Sequence, residues 1–197
     1  MSSRSRRRRA RRRKSDRVSA LFELDAIPKL PLWAQALIAA RMARRAVFNL
    51  PKEFDEDDRR SLLTLCDALD DAAATGEYRK ATIAPLAARM EALRGGAGGA
   101  AVDALYWAWD AAGAAHGAQS FPVDATCIGD VQQAIAAASC AEGLSPLKVR
   151  IFAAADLDQI RFACGEAHVG FYDALGPEVM GRLAPVYPPD ERSKRAT

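Results

Sequence analysis

Histidine and cysteine are scarce in this 197-residue chain, which has two of the first and four of the second. Histidine is the commonest metal ligand and the usual general base near neutral pH. The cysteines (Cys66, Cys127, Cys140 and Cys164) lie far apart with no CxxC pair. That spacing excludes a disulfide scaffold and the common zinc patterns, and reads as free thiols in a reducing, cytoplasmic compartment. No ExxH pair occurs, so the di-metal pattern of helical bundles is missing. There is no GxSxG, HExxH or EF-hand loop, and Gly95-Gly96-Ala97-Gly98-Gly99 lacks the GK[ST] of a phosphate-binding loop. No cofactor and no metal are expected.

Long apolar runs are missing too. The most apolar stretch, 100–118, is built of alanine and contains Asp103, Asp110 and His116, which argues against a membrane span. Val18 to Phe22, behind the basic N-terminus, is too short for the apolar core of a signal peptide. Apolar residues recur at intervals of three and four rather than two, so no strand is expected.

What is present is alanine, 42 residues of it, in a chain that is half apolar and 27% charged. Alanine favours helix because it loses no side-chain entropy there. The net charge of +3 conceals a split. Residues 1–17 hold ten Lys or Arg against one acid, and the remaining 180 hold 18 against 24. Arg6, Arg7, Arg8, Arg9, Arg11, Arg12, Arg13 and Lys14 dominate the first segment. We read it as a disordered tail able to hold nucleic-acid phosphate non-specifically, with strong salt dependence. It has no interleaved aromatic for base stacking. The alternatives are a solvated tail touching the acidic body, or a reading frame opened too far upstream, with Val18 or Leu21 as the true start.

The pattern predicts an all-α fold: a compact, alanine-rich bundle of about six helices in one domain, 28–184, with a loose C-terminal tail, 185–197. The first helix runs from Pro31 to Phe48, with Trp33, Leu37, Ala40 and Val47 near one face. The second starts at the acidic cluster Asp55 to Asp58 and stops at Gly76. The third, Tyr78 to Leu93, is kinked or divided at Pro85. The glycine-rich linker 95–99 then separates two three-helix halves, each too thin in its core to stand alone. The fourth helix covers 100–118 and the fifth Asp124 to Ala141. The sixth runs from Ser145-Pro146 to Leu175, where Gly176-Pro177 stops it, and Gly165 or Gly170 bends it.

Asp103, Tyr106 and Asp110 share one side of the fourth helix. Together with Asp55 to Asp58 and with Asp67, Asp70 and Asp71, they form either an acidic surface suited to a basic partner or ordinary solvated helix faces. Trp107 and Trp109 point about 200° apart, at 100° per residue, so either one lies in the core and the other near the surface, or both rings pack internally. An exposed tryptophan beside acids is a partner-binding hot spot. Asp103, Tyr106, Trp107 and Asp110 are therefore the candidate partner-binding residues. Cys164 and His168 lie four apart on the sixth helix, a spacing open to a metal or a nucleophile–base pair. The apolar stripe Ile160, Cys164, Ala167, Phe171 and Leu175 instead makes Cys164 a core residue. His116 and His168 would carry any catalysis if the fourth and sixth helices brought them together.

The run Ala39-Ala40-Arg41-Met42-Ala43-Arg44-Arg45, then Leu50-Pro51, then Asp57-Asp58-Arg59-Arg60 and an alanine-rich helix ending at Thr75-Gly76, resembles a family of bacterial immunity proteins of polymorphic toxin systems. The resemblance covers residues 31–76. It departs from the family in lacking a proline after the Asp-Arg pair and in having few histidines. It implies an all-helical protein that binds and blocks a toxin, and it assigns no binding residue. The expected function is thus a non-enzymatic protein-interaction module with a protein partner and no membrane. The alternatives are a nucleic-acid-associated protein working through the tail, and a helical enzyme using His116 or His168.

Overall fold

The computed structural model describes residues 23–96, 98–120 and 127–186. The arginine-rich segment 1–17, the expected fifth-helix start at Asp124, and residues 187–197 lie outside the described residues. A 3₁₀ segment, Glu23–Lys29, precedes seven α-helices among the described residues. They are α1 (Leu32–Phe48), α2 (Glu56–Thr75), α3 (Lys80–Leu93), α4 (Gly99–Ser120), α5 (Ile128–Ala138), α6 (Pro146–Glu166) and α7 (Gly176–Arg182).

The ends of these helices follow local chemistry. The Asp55 side chain accepts hydrogen bonds from the backbone N–H of Asp57 (3.0 Å) and Asp58 (2.9 Å) at the start of α2. Glu56, Asp57 and Asp58 add negative charge to that first turn, where the helix dipole favours it. Gly76 closes α2 in the left-handed region at φ 73°, which costs glycine little. Ser145 caps α6 by accepting from Lys148 N–H, and Pro146 occupies its first turn.

Three expected boundaries shift. Pro85 does not divide α3, which runs through it; the proline lies on an exposed face, where a released carbonyl can turn to water. The sixth helix stops at Glu166 instead of Leu175. Gly176-Pro177 begins α7 instead of ending α6, because a first-turn proline needs no N–H partner.

α1 is the axis of the bundle. All its residues except Arg44 and Phe48 are buried, so it lacks the single apolar stripe of a surface helix. It packs directly on α2, α4, α5 and α6. The glycine linker therefore joins two parts of one core, and α4 starts inside it at Gly99. Gly98 sits at φ 81° with Leu50 and Phe54 against it, and a Cβ there would come 2.3 Å from Leu50 Cδ2. α1 and α4 pack on each other, and both bury many alanines: Ala36, Ala39, Ala40 and Ala43 of α1, and Ala101, Ala104, Ala108, Ala111 and Ala115 of α4. Small side chains let the two backbones approach closely.

Two polar devices tie the core together. Asp156 of α6 is 2% exposed and receives Arg41 (Nη2–Oδ1 3.0 Å) and Arg45 (Nη2–Oδ1 3.0 Å) of α1. Arg41 also donates to the Ala184 carbonyl at 2.7 Å, strapping the segment after α7 to the bundle. Arg44, the polar edge of α1, bridges Asp67 and Asp70 of α2, both at 2.7 Å.

Candidate functional site

α4 carries its predicted polar residues on a partly open side. Asp103, Tyr106, Trp107, Trp109 and Asp110 are all half-buried. Tyr106 is the hub. Its ring meets Trp107 edge-on at 5.3 Å and Trp109 at 5.8 Å between centroids. The two tryptophans thus do not divide into one core and one surface residue. Both lean on Tyr106, because a single ring between positions i+1 and i+3 reaches each of them.

Arg94, the residue that follows α3, lies over the Tyr106 ring with its guanidinium carbon 3.8 Å from the centroid. It also donates to Asp103 at 3.0 Å. The face therefore already holds one cation between an aromatic ring and a carboxylate, the arrangement in which the ring quadrupole and the charge act together. Burial raises the Asp110 carboxyl above its usual range, while a hydrogen bond from Tyr106 and the Arg94 charge act against that rise. Asp130, in the first turn of α5, is raised by burial and by the neighbouring Asp110 charge. The two carboxylates thus add to one local negative field. Tyr78 extends the cluster, stacking on His116 at 5.8 Å and 27°. Burial, with the Asp110 charge acting in the same direction, pushes its phenol up to about 12.

Most of the α2 acids expected in the wider acidic surface are paired within the chain. Asp67 and Asp70 hold Arg44, Asp57 holds Arg60, Glu56 holds Arg59, and buried Asp58 holds Arg89. Sequence spacing shows the i,i+3 pairs, but it does not show that α1 and α3 deliver Arg44 and Arg89 to α2.

Cys164 and His168 do not share a helix face. α6 ends at Glu166, and His168 takes a left-handed φ of 52°. Val169 N–H bonds Cys164 C=O (3.1 Å) and His168 N–H bonds Gly165 C=O (3.3 Å), the two bonds of a Schellman C-cap. Histidine stands where glycine is usual. His116 neighbours Tyr78 on the α4 side, whereas α6 packs on α1, α5, α7 and the 3₁₀ segment. The histidines thus belong to separate neighbourhoods. Cys66, Cys127 and Cys164 are buried and Cys140 is exposed. Burial raises the Cys66 and Cys127 thiols to about 12 and the Cys164 thiol to about 11, which disfavours the reactive thiolate. Among the described residues, no group of three or more His, Cys, Asp or Glu is placed to hold a metal ion.

Sequence reading missed Arg94, Tyr78 and Asp130, which three different elements bring to α4. The chain distance from Tyr78 to His116 carries no pairing signal. The Arg94-to-Asp103 spacing crosses a glycine turn that only folding closes.

Among the described residues, no helix is long and apolar enough to cross a membrane. No family model matches the chain, and no curated protein and no solved structure matches it.

Proposed function

We propose that this chain is a non-enzymatic protein-interaction module. It binds a basic surface of a partner protein through the α4 face, as an immunity protein masks a toxin. The observation that carries this reading is the seat of Arg94: stacked on Tyr106, bonded to Asp103, with half-buried Trp107 and Asp110 beside it. A partner's lysine or arginine meets a second carboxylate about two helical turns beyond Asp103, at Asp110. Tyr and Trp at such a centre supply large contact area at low entropic cost. Bringing a cation to Asp110 and Asp130 also relieves their mutual repulsion.

The experiment is a nuclease-treated pull-down with two baits, the full chain and a chain starting at Val18, each also carrying Asp110→Lys or Trp107→Ala. The expected result is one protein retained by both parent baits and lost by both variants, each of which keeps its helicity; Trp107→Ala also lowers the melting temperature, because its ring packs on Tyr106 and the core. Cation binding favours the ionised carboxyl, so its pKa is lower in the complex than in the free protein. Retention is therefore expected at neutral pH and lost as pH falls through the raised range of Asp110. Retention that ignores both substitutions removes the α4 face from the account. The second reading rests on the ten cations of residues 1–17. Retention of nucleic acid alone, by the full-length bait alone and falling steeply with salt, favours it.

A further inference from the structure

Five large apolar side chains are exposed among the described residues, and all fall between positions 147 and 172: Leu147, Ile151, Phe162, Phe171 and Tyr172. Three of them stand on α6. At 100° per residue, Leu147, Ile151, Ala155, Asp158, Phe162 and Gly165 fall within a strip about 80° wide. All six are exposed, with Phe162 at 66%. The buried residues Val149, Ala153, Leu157, Ile160 and Cys164 centre about 180° away. α6 thus has two opposed apolar stripes, and the bundle covers only one.

We propose that the outer stripe is covered by a second copy of this chain, with two α6 helices packed antiparallel about a two-fold axis. The stripe is complementary to its own reverse. An antiparallel pair brings each residue opposite the one equally far from the axis on the other side. Ile151 and Phe162 have their midpoint between Asp156 and Leu157. Leu147 and Gly165 have theirs at Asp156, where the space over Gly165 is open. Lys148 and Glu166 lie on the same flank of the stripe, at the same angle on the helix. Their midpoint is at Leu157. One axis therefore seats an aliphatic side chain against Phe162, a leucine over a glycine, and a lysine against a glutamate, each twice. A closed two-fold dimer uses each contact twice in this way. Beside the axis, each Asp158 comes nearest its own equivalent, and each is paired within its own copy to Arg161 (2.8 Å), which lies on the side away from the axis. This surface is distinct from the α4 face and stands or falls without it.

One helix face lies at the small end of stable interfaces, so the dimer is expected to dissociate within a measurable range. Sedimentation of the full chain is run under reducing conditions, to keep exposed Cys140 out of disulfides. Across about 1 to 100 µM, the range in which such interfaces dissociate, mass is expected to rise from monomer to dimer. Phe162→Asp should give a monomer throughout, with unchanged helicity and melting temperature, because Phe162 supports no core contact. Lys148→Glu should weaken dimerisation at least tenfold, and Lys148→Glu combined with Glu166→Lys should restore it. A monomer at every concentration overturns the proposal. So does a dimer indifferent to Phe162→Asp, or a double exchange that fails to restore the weakened form.

Discussion

His168 shows how one residue ends a helix at a cost. Its φ of 52° is left-handed, a region that crowds the Cβ of any L side chain. The cost is borne because two backbone hydrogen bonds and the Val169 contact close α6 there. His168→Gly should therefore stabilise the protein by about 0.5–1 kcal/mol, and His168→Val should destabilise it by at least as much. Thermal unfolding of the two variants beside the parent checks both signs. Unchanged melting in both would mean that the turn is not formed in solution. The cysteines give a second reading at this scale. With Cys66, Cys127 and Cys164 buried and their thiols shifted upward, a thiol reagent at pH 8 should modify Cys140 alone. Denaturant should release the other three. Mass spectrometry of the modified folded protein decides which sulfur reacted.

Helices were the most legible scale. α1, α2, α3 and α4 lie where apolar spacing and cap residues put them, to within two residues at most ends. Asp55 is legible because a short acceptor before an acidic turn is a local signal. Replacing it by alanine leaves the N–H groups of Asp57 and Asp58 without their protein acceptor, and Asp55→Ala should cost about 1 kcal/mol. A chemical denaturation midpoint measures this directly. An unshifted midpoint would show that water replaces the cap without loss. Prolines were less legible, because their effect depends on position. Pro85 sits inside α3 and Pro177 opens α7, yet the local sequence favoured a break at the first and a stop at the second. The outer stripe of α6 was hidden for a related reason. Its residues recur at helical spacing, so they resemble core until the bundle shows which side is covered.

At the scale of the whole molecule, the buried Asp156 holds α6 to the central helix. Two guanidinium groups converge on it from one helix turn, Arg41 and Arg45, and Arg45 also lies 5.0 Å from the centre of the Phe152 ring. Removing the acid leaves two buried cations without their counter-charge, so Asp156→Asn should cost about 3–5 kcal/mol and lower the melting temperature by about 10 °C. A loss below about 1 kcal/mol would mean that water reaches these charges. The sequence shows Arg41 and Arg45 one turn apart. It does not show that they face inward, since arginine pairs on a helix are usually solvated. The same holds at the α4 face, where Asp103, Tyr106 and Asp110 were legible as one helix side but Arg94, Tyr78 and Asp130 come from other elements. What the sequence determined alone is what local energetics decide: helix from alanine and apolar period, and helix ends from caps, glycine and charge. Tertiary structure decided which helix became the axis, which acids were neutralised within the chain and which aromatic rings met. Those outcomes depend on contacts between residues far apart in sequence, whose energies no local pattern records.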